Sequence, residues 1–239
     1  MSALSLPDRL DVDAVVFDAG GVLLLPDAEA GRAAIATLDC ESTPEDWHRA
    51  HYATLPLLDQ MQPIDWRTHR RAVAAEIGVP EECLEAAAAL IENVMVGTAW
   101  VAVPGAADAL RGLSGAGYKL AVVSNAWGTV AQWLEQYGVC SVEGGDLPQV
   151  AAVIDSHLVG VEKPDPRIFQ LAIDVLGVPA ERSLYVGDTI RFDVNGARSA
   201  GLHPVHVDPY GFCDGSHRHI VDLAELTSWL VDGEPPRAA

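Results

Sequence analysis

The chain has 239 residues, 49% of them hydrophobic, with 34 acidic side chains against 15 basic ones and a net charge of −19. That is enough apolar material for one sizeable core, or a core with an insertion, and the charge disfavours nucleic-acid binding, which needs basic patches to neutralise phosphates. No apolar run approaches membrane-spanning length, the first thirteen residues lack the apolar centre of a signal peptide, and the scattered cysteines Cys40, Cys83, Cys140 and Cys213 form no C-x-x-C pair, so a cytoplasmic protein with free thiols is expected.

The first predicted element is a strand in Asp13-Ala14-Val15-Val16-Phe17-Asp18-Ala19-Gly20-Gly21-Val22-Leu23. An apolar run of this kind suits a strand buried on both faces of a parallel sheet. It stops at one carboxylate, Asp18, and two glycines then demand a tight turn. In open α/β sheets ligands sit beyond the carboxyl ends of the strands, which would place Asp18 at the mouth of a site.

After residue 26 the Val-rich runs disappear. Helices are expected over 28–38, 44–58 with Ser42 or Thr43 as N-cap, 64–77 and 80–96. They form a helical insertion over 27–100 between core segments 1–26 and 101–239. Helix and strand then alternate: helix 106–113, strand 118–124, helix 129–137, strand 150–155, helix 166–176, strand 183–187, helix 193–200, strand 204–207 and helix 220–230. The stretch 140–149 reads as a loop and the tail 233–239 as frayed. Such alternation predicts an α/β fold, a Rossmann-like, doubly wound parallel sheet carrying an inserted helical domain. Trp47, Trp66, Trp100 and Trp127 could line a pocket, with core packing the first expectation for each.

Three further strand ends carry polar groups. Leu120-Ala121-Val122-Val123-Ser124-Asn125 closes on a hydroxyl able to donate to an oxyanion and on an amide. Glu162-Lys163-Pro164-Asp165-Pro166 holds a cation on a stiff extended segment, and Lys163 is one of only two lysines in the chain. Ser183-Leu184-Tyr185-Val186-Gly187-Asp188 is a buried strand ending in a second carboxylate, with Asp193 five residues on, where an N-cap role competes with a functional one.

In their order and spacing these four stretches resemble the haloacid dehalogenase-like hydrolase superfamily, over residues 13 to 210, with the helical insertion in the place of the family's small helical cap. The resemblance implies phosphoryl transfer to Asp18 through an aspartyl intermediate. It also implies Mg²⁺ held by Asp18, Asp188 and the backbone carbonyl of Gly20. Phosphoryl oxygens would be held by Ser124, Asn125 and Lys163, with Asp193 orienting Lys163 or a metal-bound water. The partner implied is a small phosphorylated metabolite; oligomeric state leaves no mark on the sequence.

One position departs from the pattern. Family phosphatases usually carry a second aspartate two residues after the nucleophile, where this chain has Gly20. Either the substrate has a good leaving group, such as an anomeric sugar phosphate, or His48, His51, His69 or water replaces the acid, or the reaction is another one. Family dehalogenases also lack this aspartate and use an arginine of the early cap, for which Arg49, Arg32 and Arg67 are candidates. Such enzymes have no reason to bring a second carboxylate to the first. Phosphonate cleavage needs a cap lysine, absent from 27–100, and a mutase needs the missing acid twice per cycle. A non-catalytic phospho-ligand-binding protein would have no need of a nucleophile.

Overall fold

The computed structural model describes residues 11–96 and 99–233; the tail expected to fray lies outside them from residue 234 on. Two compact units emerge. One comprises the described residues up to Leu24 and from Ala102 onward, and the other is Leu25–Val101.

In chain order the elements are β1 (Ala14–Phe17), β2 (Leu24–Pro26), α1 (Ala28–Ile35), α2 (Pro44–Gln60), α3 (Trp66–Ile77), α4 (Leu84–Val96) and β3 (Trp100–Ala102). There follow α5 (Ala106–Gly115), β4 (Lys119–Ser124), α6 (Val130–Gln136), β5 (Val153–Asp155), α7 (Ser156–Val159) and α8 (Pro166–Leu176). The last are β6 (Ser183–Gly187), α9 (Gly196–Ser199), β7 (His203–Val207), β8 (Arg218–Ile220) and α10 (Leu223–Thr227).

The larger unit is built on a six-stranded sheet in the order β5-β4-β1-β6-β7-β8. Every pairing is parallel, Phe17 lying opposite Val122 on one side and Val186 on the other. All four residues of β1 are buried, as a central parallel strand with covered faces requires. One face packs Val16, Val123 and Tyr185 against Ile168, Phe169 and Ala172 of α8. The fold is the expected α/β, Rossmann-like one. Because the strands run parallel, Asp18, Ser124 and Asp188 all fall at the same, carboxyl edge of the sheet. The strand order reverses beside β1, where such sheets bind ligands.

The helical unit owes its elements to local signals. Thr43 and Asp46 form a reciprocal capping box at the start of α2, and Asp65 caps α3. Its core joins Ile35, Trp47, Val73, Ile77, Leu84 and Ile91. Gly31 of α1 lies flat against the Trp47 ring, so close that a Cβ there would stand 2.5 Å from it. Among the described residues no helix is long and apolar enough to cross a membrane.

Several expectations are corrected. The helix expected over 193–200 is a π-helical turn, Ile190–Asn195, followed by the single turn α9, because Asp193 turns inward to bond Lys163 and does not cap a helix. The helix expected over 220–230 begins only at Leu223, capped by Asp222. Residues 218–220 are taken instead by pairing with β7. The short elements β2, β3, β8 and α7 were not foreseen, since three or four residues display no period. Trp66 and Trp127 are 41% and 52% exposed and are not core residues.

Candidate active site

Asp18 is positioned by the strand that ends at it. Its amide donates to the Val186 carbonyl at 2.8 Å, extending the β1–β6 ladder by one residue. The chain then turns on the Ala19 carbonyl, which accepts from Leu23 and Leu24 at 2.9 and 2.8 Å. Gly21 supplies the left-handed backbone of that turn at φ 70°. The side chain is held as well, Oδ1 accepting from the Ala19 amide at 2.6 Å and Oδ2 from Lys163 Nζ at 2.9 Å.

Lys163 is the centre of the cluster. Its ammonium is 2% exposed and also donates to Asp193 Oδ1 at 2.7 Å and to the Tyr185 hydroxyl at 3.0 Å. Its backbone is clamped by Asn125, whose Oδ1 accepts from Lys163 N at 2.8 Å and whose Nδ2 donates to Lys163 O at 3.0 Å. The side chain of Asn125, a residue expected to bind phosphate, is thus committed to holding the lysine. The loop beyond it is tied to β5, Asp155 accepting from the Gly128 amide at 2.8 Å and capping α7.

Asp193 is fully engaged. Beyond Lys163 and the Tyr185 hydroxyl at 3.0 Å on Oδ1, its Oδ2 accepts from Thr189 N at 3.0 Å and Thr189 Oγ1 at 2.5 Å. It packs so closely on Gly187 that a Cβ there would lie 2.3 Å from its own, so only glycine fits before Asp188. Sequence reading missed Tyr185 and Thr189. The signal for Tyr185 was a phenol inside an otherwise apolar buried strand, where a hydroxyl has to find partners.

Asp188 is 4% exposed, and carboxylate oxygens of Asp18, Asp188 and Asp193 lie within 4.8 Å of one another. Asp18 and Asp193 therefore share one buried ammonium, with Asp188 beside them. Burial, opposed by the Lys163 charge and reinforced by Asp193 and Asp188, pushes the Asp18 carboxyl up to about 7. Burial opposes ionisation of Asp193 too, but Lys163 and the Thr189 hydrogen bonds outweigh it and hold that carboxyl low. Lys163 stays charged because its two carboxylates overcome the burial cost. Three buried carboxylates gathered this closely offer the oxygen ligands that a hard divalent cation takes.

The model of the haloacid dehalogenase-like hydrolase family matches residues 12–201.

The chain belongs to the haloacid dehalogenase-like hydrolase family.

Among curated relatives it is 35% identical over 103 residues to the glyceraldehyde 3-phosphate phosphatase of Pyrococcus abyssi, covering 43% of this chain and 41% of that one. It is 32% identical over 131 residues to the (S)-2-haloacid dehalogenase of Pseudomonas putida, covering 53% and 55%. The chain thus spans about two fifths and just over half of the lengths of these relatives. The crystal structure of a HAD family hydrolase from Deinococcus radiodurans R1, with bound phosphate and sodium, superposes with a TM-score of 0.62 at 22% identity, over 96% of this chain and 100% of that one.

Within this family member, Gly20 is not enforced by packing. A Cβ built there meets nothing within 4 Å, and its backbone lies outside the left-handed region. The three histidines considered as substitute acids, His48, His51 and His69, all line one cavity of about 260 Å³ inside the helical unit, with Trp47, Val73 and Met95. Burial and the neighbouring Arg70 push His69 down to about 3, and burial with His51 lowers His48. Both shifts favour the neutral imidazole. The candidate dehalogenase arginines are ion-paired within their own unit, Arg49 to Glu76, Arg32 to Glu29 and Arg67 to Glu85.

Proposed function

We propose that this hydrolase is a Mg²⁺-dependent phosphatase of small phosphorylated metabolites, working in the cytoplasm through an aspartyl-phosphate on Asp18. One observation carries the reading: a buried lysine bridges Asp18 and Asp193 while a third carboxylate, Asp188, stands within ligand distance of both. The phosphatase relative supports the same substrate class.

Asp18, Asp188 and the Gly20 carbonyl would hold the cation. Bound there, Mg²⁺ would offset the repulsion between a carboxylate and a phosphoryl dianion and polarise a phosphoryl oxygen. The chain's own groups do the rest. Asp18 Oδ attacks phosphorus, the P–O bond to the leaving group breaks, and the alkoxide departs with the bonding pair. Lys163 stabilises charge gathering on the nucleophile and phosphoryl oxygens. Ser124 Oγ and the Asn125 amide hold those oxygens. Asp193 and Tyr185 keep the ammonium aimed, so Asp193 is a positioning residue. Water then cleaves the aspartyl-phosphate and regenerates Asp18. With glycine at position 20 the leaving oxygen gets no proton from that residue, which favours substrates whose leaving group is stable as an anion, with anomeric sugar phosphates first.

The dehalogenase relative favours a second reading, metal-independent displacement of halide by Asp18. The pairing of Arg49, Arg32 and Arg67 and the second and third buried carboxylates argue against it. Phosphate release from p-nitrophenyl phosphate decides. Turnover should require Mg²⁺, stop with EDTA and vanish in Asp18→Asn. Metal-independent chloride release from 2-chloropropionate would instead establish the dehalogenase, and neither activity would favour a phospho-ligand-binding protein.

A further inference from the structure

A second cluster lies on the far side of β6, and the proposed phosphatase chemistry makes no use of it. His206 on β7 and His219 on β8 are register partners in the parallel ladder, so their side chains share one face of the sheet. The loop between the strands brings Cys213 and His217 to the same place. It is folded back by Asp208, whose carboxylate accepts from the amides of Phe212 and Cys213, both at 2.9 Å. The Cys213 sulfur in turn accepts from the Gly215 amide at 3.4 Å. One donor atom from each of His206, Cys213, His217 and His219 lies within 4.8 Å of all the others.

From this arrangement we infer that His206, Cys213, His217 and His219 form a structural site for a divalent transition ion, with Zn²⁺ the best match. The donor set is three imidazoles and one thiol, the nitrogen and sulfur ligands that zinc prefers over the oxygen ligands of Mg²⁺. Two of its six donor–donor distances match the edges of a tetrahedral site. Bonds of about 2.05 Å to nitrogen and 2.3 Å to sulfur imply edges of about 3.3 Å between nitrogens and about 3.6 Å between sulfur and nitrogen. Here His217 Nε2 stands 3.2 Å from His206 Nδ1 and 3.7 Å from Cys213 Sγ.

Two further features point to an ion. His206 has its other ring nitrogen, Nε2, 3.0 Å from the Asp188 carbonyl. Only a protonated Nε2 can bond a carbonyl, which in the neutral ring leaves Nδ1 as a lone pair facing His217 Nε2 at 3.2 Å. Metal-binding histidines are commonly oriented by such an outer hydrogen bond. His219 has Nε2 buried with no hydrogen-bond partner, and an orphaned buried nitrogen is a cost that needs a counterpart. Four protein ligands would leave no open position, so the ion would be structural, pinning β7 to β8 and, through His206, bracing the strand end that carries Asp188. Binding would release the Cys213 thiol proton, since the thiolate is the ligand. A search for paired cysteines does not see this set, because it contains one cysteine and draws His206 from a separate strand.

The test is to dialyse the full chain against a chelator and titrate it with Zn²⁺ in excess Mg²⁺, alongside the variant Asp18→Asn/Asp188→Asn, which removes the acidic site. One zinc per chain is expected in both proteins. Cys213→Ser and His217→Gln should each weaken binding by more than about a hundredfold, beyond the loss typical of an outer-sphere partner. Co²⁺ in place of zinc should give tetrahedral visible bands and a thiolate-to-metal charge-transfer band in the intact protein. That spectrum decides the matter even if the cysteine variant does not fold. No zinc uptake, no charge-transfer band, or uptake that survives Cys213→Ser but disappears with the two aspartates would each overturn the inference.

Discussion

Installing an aspartate at position 20 should supply a general acid at a position where Gly20 offers none. The structure makes Gly20→Asp a clean perturbation, because a Cβ there has no heavy atom within 4 Å and the backbone is not left-handed. Any stability change should therefore come from one more carboxylate near the three already gathered, Asp18, Asp188 and Asp193. The same neighbours would raise the new group's pKa, which is what a general acid needs. General acid catalysis is worth roughly 10²–10⁴-fold, or about 3–5 kcal/mol of barrier, but only where the leaving oxygen needs a proton. The assay is kcat/KM on glycerol phosphate, an alkyl ester, and on p-nitrophenyl phosphate, whose phenolate leaves unaided. The ratio of alkyl to aryl rates should rise by at least about tenfold in Gly20→Asp and stay at the wild-type value in Gly20→Asn, which matches the volume without an acidic proton. A well-folded Gly20→Asp enzyme with an unchanged ratio would refute the claim that Gly20 is what confines the enzyme to good leaving groups. So would an equal gain in Gly20→Asn.

Three other outcomes are expected. Tyr185→Phe removes a hydroxyl shared by Lys163, Asp193 and the Val123 carbonyl; urea titration should show a loss of about 1–3 kcal/mol, while activity falls less than in a variant of Lys163, because two carboxylates still hold the ammonium. Gly31→Ala drives a methyl into the Trp47 ring and should cost about 1–3 kcal/mol by thermal melting, with an intact Trp47→Phe/Gly31→Ala pair recovering part of it. His69 is held neutral in the fold, at about 3 against an ordinary 6.5. Its contribution is present above pH 6.5 and is lost as pH falls from 6.5 toward 3, by up to about 1.4 kcal/mol per pH unit. His69→Gln should flatten stability across that acid window, and an unchanged profile would remove His69 from the account.

The strand ends were legible because parallel strands leave a plain mark. Buried on both faces, they must be apolar throughout, so a carboxylate or hydroxyl that closes one stands out, as Asp18, Ser124 and Asp188 do. The helices of the insertion were equally legible, since Thr43, Asp65 and the proline at position 44 are local signals that need no tertiary partner. What depends on distant segments was not. That Asn125 clamps the Lys163 backbone, that Tyr185 and Thr189 hold Asp193, and that residue 193 turns inward away from a helix cap all depend on which strands lie side by side.

The same divide explains the edge of the sheet. Residues 218–220 carry no strand period of their own, and only pairing with β7 makes them a strand and sets His219 beside His206. Residue type and local spacing determined where the chain could place a charge at a strand's end. Tertiary structure decided which of those charges share a cavity, because an ion pair or a ligand set is a distance, and distance along the chain does not fix distance in space.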